Sequence, residues 1–210
     1  NVRVSDGRAL GKTTYQPIYF TSNGGYMEIR ADSDTIGSFN GKGIWLGTGL
    51  SPIVFLDRKI GGSGLTQTVA FGTLAYGTTG ANTMNFGGRD GYSASVSSTT
   101  GAVYTTNNGI ANSGNGLLTF NGSITVGGAT NFNGYTVGGN GDTVWNGSLL
   151  TAGNGTTGFL DYFTKNGQGL LNWTASTSTY KGSTNINAGV LQIGSLNTID
   201  NTLPQSGALI

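Results

Sequence analysis

The sequence predicts an all-β protein built as a solenoid, a single elongated domain of short strands stacked in rungs, and three observations predict it. Strand-like runs recur along the chain, helix-like periodicity is missing, and glycine occupies 39 of 210 positions while only three are proline. Runs such as Thr66 to Phe71, Ser123 to Val126 and Val190 to Ile193 alternate in polarity and are bounded by Gly or Asn, residues that tolerate tight corners. No window of eleven or more residues keeps apolar side chains at helical spacing without a glycine or β-branched interruption. Glycine does not recur at every third position, so the composition is not collagen-like. With 36% hydrophobic and 10% aromatic residues, the chain has enough apolar surface to fold rather than stay a disordered linker.

Internal repetition supports stacking. Gly, Leu and an aromatic recur at alternate positions in Gly72-Thr-Leu74-Ala-Tyr76, Gly116-Leu-Leu118-Thr-Phe120 and Gly169-Leu-Leu171-Asn-Trp173. Period-two spacing aims the Leu and the aromatic to one face of a strand. Asn121-Gly-Ser-Ile124 is echoed by Asn146-Gly-Ser-Leu149. These offsets fit turns of roughly 20 to 27 residues, a solenoid size. About ten turns spaced about 4.8 Å apart would give a rod on the order of 50 Å, with Asn and Thr stacking outward in hydrogen-bonded ladders. A β-sandwich is the rival; it predicts hairpins and antiparallel pairing, and the glycine corners alone do not exclude it.

Residues 163 to 194 carry a more specific pattern: Lys165, Gly167 and Gly169 open it, Leu171 follows, Tyr180 and Gly182 form a corner, and Thr184, Ile186, Asn187, Ala188, Gly189, Leu191, Ile193 and Gly194 close it. This stretch resembles the autotransporter passenger-associated β-strand repeat. Trp173 departs from that pattern, since a smaller aliphatic residue is usual there, and its ring would need a gap in a neighbouring rung; Ser183 stands where a second Gly is common. Residues 61 to 162 share the style more loosely, and residues 1 to 60 match least. The resemblance implies a right-handed parallel β-helix at a bacterial cell surface or in secreted material, a passenger segment without a membrane barrel.

Composition narrows the chemistry. The chain has neither cysteine nor histidine, which removes thiolate chemistry and the commonest neutral-pH base and metal ligand. Net charge is +1 and only 9% of residues are charged, so neither nucleic acid nor an anionic membrane is an expected partner. No apolar run approaches a membrane span, and Asn1 does not open a signal peptide, so a secreted protein would be a processed piece. Of the 19 charged residues, 14 lie in residues 1 to 90. Residues 1 to 40 are therefore expected to be an N-terminal cap or atypical first rungs, since charge deters edge-to-edge pairing.

No catalytic, cofactor-binding or metal-binding residue is assigned, and no cofactor is expected. Among the acids, Asp32 and Asp34 alone have a strand spacing that aims both one way; a solvated strand edge or loop explains them better than a calcium or glycosidase pair. Gly138-Gly-Asn-Gly-Asp142 resembles the start of a calcium-binding nonapeptide but occurs once, so it reads as a corner. The Asn-x-Ser/Thr sequences at Asn121, Asn146, Asn154 and Asn172 arise readily in such a composition. Tyr92, Tyr104, Tyr135, Tyr162 and Tyr180 are sugar-stacking candidates for which inward packing is the default. Lys42, Arg58, Lys59 and Arg89 read as ordinary surface charges.

The expected function is a non-enzymatic extracellular structural or adhesive element at the bacterial outer surface. Copies are expected to associate end to end through uncapped β-helix ends, because Leu203 to Ile210 lack a capping pattern, and the surface is expected to meet a glycan or protein ligand. The alternatives are a secreted effector that binds a host receptor or glycan and, less well supported, a carbohydrate-active enzyme.

Overall fold

The computed structural model describes residues 1–11, 16–77, 80–99, 103–104, 107–126, 133–151, 162–175, 178 and 182–194. Their architecture is a parallel β-solenoid. Eight strands, Val2–Val4, Tyr26–Ala31, Ile53–Arg58, Asn82–Gly88, Asn108–Asn112, Gly134–Gly138, Tyr162–Lys165 and Thr184–Ile186, form one sheet in chain order. A second sheet stacks Ile18–Phe20, Ile44–Leu46, Thr68–Ala75, Ser93–Thr99, Leu118–Phe120, Thr143–Trp145, Leu170–Trp173 and Val190–Ile193. A short third sheet of Val103–Tyr104, Ile124–Val126 and Leu149–Thr151 lines the middle turns. Every pairing among these strands is parallel, which excludes the sandwich. The helical elements among the described residues are two 3-10 turns, Gly7–Leu10 and Ile36–Phe39.

Rungs are longer and fewer than the expected ten. Val2 pairs with Met27, Ile53 with Asn85 and Leu170 with Val190, so a turn takes from 20 to 32 residues. Eight rungs at about 4.8 Å place the first and last about 34 Å apart. The charged segment 1 to 40 supplies strands to both sheets.

Alternation divides each strand. In the second sheet Val69, Ala94, Leu118 and Leu171 form an inward column, and Phe71, Val96, Phe120, Trp145 and Trp173 form the next. The copies at Leu118 and Leu171 are thus two turns apart, through Thr143. The copy at Leu74 is out of column, pairing with Ile44 and Thr99, because Thr68–Ala75 is long and Val69 and Phe71 take the matching positions.

Trp173 needs no gap. Its ring stacks on Trp145 at 4.5 Å with 9° between planes, and Phe120, Tyr135 and Phe163 pack around the pair. Both indoles are fully buried, yet each N–H is satisfied one rung back: Trp145 donates to the Gly122 carbonyl at 2.9 Å and Trp173 to that of Gly147 at 2.8 Å. The Asn-Gly-Ser echo is the same structural column seen twice. Ile124 pairs with Leu149, the Asn146 amide donates to Asn121 Oδ1 at 2.7 Å, and the Ser148 N–H donates to Ser123 Oγ at 3.0 Å.

Glycine serves this stacking in a way local turn reasoning misses. A Cβ on Gly147 would lie 2.0 Å from the Gly122 carbonyl oxygen, and one on Gly169 would lie 2.2 Å from that of Gly141. Neither glycine has a positive φ. Close approach of successive corners, not backbone conformation, excludes a side chain there.

Buried polar residues close the corners. Asn82 Oδ1 accepts from the Leu50 N–H at 2.9 Å, and Asn108 Oδ1 accepts from the Asn82 N–H at 3.1 Å, so each amide serves the rung before it. Lys165, 2% exposed, donates to the carbonyls of Asn166, Gly167 and Ala188 at 2.9, 2.7 and 3.2 Å. Burial pushes its ammonium below the usual lysine pKa. The residue that opens the repeat pattern is therefore an internal tie between a rung and its successor.

Replacing Lys165 by Met keeps the stem and strips three carbonyls of their donor. We expect a loss of about 2 kcal/mol, measured as a shift in urea midpoint; an unchanged midpoint would show that the tie contributes nothing.

Candidate functional site

With the interior filled, chemistry with a partner is left to the outward faces, and these differ between sheets. On the first sheet, Arg3 stands beside Glu28 and Arg30 beside Asp57 in register, so the pleat sets opposite charges side by side. Glu28 accepts from Arg3 Nε at 2.7 Å and from Arg30 Nε at 2.6 Å, and Arg30 also lies 3.4 Å from Asp57. Burial raises the Glu28 pKa, but the two guanidinium hydrogen bonds outweigh it and hold the carboxyl below the usual range.

Next to this network is a cleft of about 460 Å³ lined by Arg30, Asp57, Arg58, Lys59, Arg89 and Asp90, together with Ile60 and two glycines. Its cations differ in how far they are neutralised. Arg30 is held by two carboxylates; Arg58 lies 3.6 Å from Asp90, and Lys59 4.0 Å from Asp34, both beyond hydrogen-bond length. Arg89 has no ion pair among the described residues and lies over the Phe55 ring, 5.4 Å from its centroid. Phe55 in turn lies across Gly87, where a Cβ would come within 2.8 Å of the ring, and stacks on Tyr26 at 6.3 Å. At the rim, Thr66 and Asp90 are the two described non-glycine residues with positive φ, and they share a hydrogen bond, Thr66 N–H to the Asp90 carbonyl at 3.0 Å.

On the second sheet, Tyr19 and Trp45 are register partners on the outward face. They are 60% and 42% exposed and meet edge to face, with centroids 5.2 Å apart. Sequence reasoning missed both. The signal was present: in Ile18-Tyr19-Phe20 and Ile44-Trp45-Leu46 the flanking residues are the inward pair, which turns the central aromatic outward.

The residues weighed from sequence fare differently. Asp32 and Asp34 lie in the turn after Tyr26–Ala31, not on a strand; Asp32 Oδ1 accepts from the Gly64 N–H at 2.9 Å, and Asp34 faces Lys59. No three His, Cys, Asp or Glu among the described residues gather closely enough to hold a metal. Gly138 to Asp142 forms a corner in which Asp142 Oδ1 accepts from the Leu170 N–H. Asn121 and Asn146 are joined in the ladder above, Asn172 lies beside Trp173 with its amide oxygen buried and unpartnered, and Asn154 lies outside the described residues.

Tyr92 is buried with its hydroxyl on the Ala31 carbonyl, and Tyr135 is buried with its hydroxyl 2.8 Å from that of Tyr76. Tyr162 is half-buried; the Tyr104 side chain and all of Tyr180 lie outside the described residues. Lys42 is a correction. It is 1% exposed and donates to the Gly11 carbonyl at 3.0 Å, so it is internal rather than a surface charge. Residues 203 to 210 lie outside the described residues.

No family model matches the chain, and neither a curated protein nor a solved structure matches it. Among the described residues no helix is long and apolar enough to cross a membrane.

The Glu28 network sets an acid limit. Its folded pKa lies below the unfolded value, about 4.3, so its stabilisation is present above that value and is lost as pH falls through the folded one. Glu28→Gln is expected to flatten the fall in urea midpoint between about pH 5 and 3; equal slopes in both proteins would remove this assignment.

Proposed function

We propose that this chain is a non-enzymatic extracellular β-solenoid with a structural and adhesive role, a passenger-type segment at a bacterial outer surface. The resemblance of residues 163 to 194 to the passenger-associated repeat supports the location. The observation that carries the adhesive role is the Tyr19 and Trp45 pair. Two large rings stand exposed on a parallel sheet, although buried sites for rings of that size exist throughout the interior. They leave apolar surface in water, and Tyr and Trp are the residue types that anchor interfaces and stack on sugar rings.

A second reading, joining of copies end to end, draws on the parallel stacking itself: successive rungs pair strand to strand, the geometry by which a rung of one copy would add to that of another.

The adhesive reading is tested by saturable binding of the purified chain to cell surfaces and to a carbohydrate array. Tyr19→Ala with Trp45→Ala is expected to weaken binding by about tenfold with little change in melting temperature; undiminished binding would reject the platform. End-to-end joining predicts filaments of solenoid width by electron microscopy as concentration rises, and uniform short particles at every concentration would reject it.

A further inference from the structure

The first 90 residues hold most of the charge, and the fold gathers part of it into one cleft whose cations exceed its anions. Arg30, Arg58, Lys59 and Arg89 face Asp57 and Asp90 there. Arg30 is already neutralised by Glu28 and Asp57. The others are held more loosely. Arg58 pairs with Asp90 at 3.6 Å and Lys59 with Asp34 at 4.0 Å, beyond hydrogen-bond length and with side chains 40% and 47% exposed, and Arg89 has no ion-pair partner among the described residues. Arg89 beside two loosely paired cations leaves positive charge that a bound anion would offset.

The placement of Arg89 is built rather than incidental. Its guanidinium lies over Phe55, Phe55 lies across Gly87 where no side chain fits, and Tyr26 stacks on the same ring at 6.3 Å. Resting on a ring leaves the guanidinium's N–H donors unspent, and the guanidinium fork matches the two oxygens of a carboxylate or sulfate.

We propose that this cleft binds an acidic polysaccharide, with Arg89 receiving a carboxylate or sulfate group, Arg58 and Lys59 neutralising the same or the next acidic group, and the half-buried Tyr26 ring beside the cleft meeting the sugar's C–H face. Nucleic acid is the weaker fit. A phosphate backbone calls for a longer track of cations than three, and the later rungs of this sheet present no outward cation among the described residues: the cleft there is lined by Thr83, Ile110, Thr136, Asn166 and glycines. The site lies on the opposite kind of face from the Tyr19 and Trp45 pair, in the other sheet, and does not rest on that pair's role.

Calorimetric titration of the full chain with a sulfated oligosaccharide, a polyuronate fragment, neutral dextran and inorganic sulfate tests this. At least one of the two acidic chains is expected to bind, weakening as salt rises, and dextran is not. Arg89→Ala is expected to cost about tenfold in affinity, Arg89→Lys to restore only part of it, and Tyr19→Ala with Trp45→Ala to leave it unchanged. Absence of binding to both acidic chains, equal affinity in Arg89→Ala, or equal binding of dextran would overturn the proposal. Inorganic sulfate binding as tightly as the acidic chains would also overturn it, by reducing the cleft to a small-anion site.

Discussion

Everything in this molecule depends on the in-register stacking of one turn on the next. Each strand's hydrogen bonds go to the preceding and following turns, so no rung is stable alone and every position is judged against its neighbours about 4.8 Å away. That spacing is close to the van der Waals width of a side chain. Inward columns therefore hold side chains that stack on their like, as Trp145 does on Trp173, or that reach a neighbouring rung's backbone, as Asn82, Asn108 and Lys165 do. Where two corners approach backbone to backbone, as at Gly122 and Gly147, nothing larger than hydrogen fits.

The same constraint separates stability from interaction. Interior columns are filled by rings, aliphatic chains and satisfied amides, which leaves the outward face of each sheet to carry whatever specificity the molecule has. Those faces are not uniform. The early rungs present ion pairs, a cleft with loosely paired cations and an exposed aromatic pair, while the later rungs present Thr, Asn, backbone and the exposed aliphatic residues Leu117, Ile186 and Val190. A solenoid permits such a division because outward residues can change from rung to rung without disturbing the columns inside.

The sites were harder to read than the fold, for a geometrical reason. Tyr92, Tyr135 and Lys42 belong to types with polar ends, and their local sequence gives no sign that a carbonyl or hydroxyl some 30 to 60 residues away will satisfy them. Asp32 and Asp34 sit in a turn, a setting their spacing left open beside a strand edge, and nothing local shows that Asp32 accepts a backbone N–H from the following rung. In contrast, Tyr19 and Trp45 were open to strict application of alternation in two three-residue strands.

By itself the sequence determined that the chain is all-β, that its strands are short and its corners rich in glycine, and that its rungs stack. Alternation and turn chemistry are local, and the Asn-Gly-Ser echo at 25 residues survives as an actual ladder. Only the tertiary structure decided the register. It set the number of rungs, moved the Leu74 copy out of column, gave Trp173 its stacking partner, and gathered Arg58, Lys59 and Arg89 beside Phe55. Turn length varies from 20 to 32 residues, and because each pairing depends on where the previous rung ended, that variation accumulates along the chain and cannot be inferred from any one repeat.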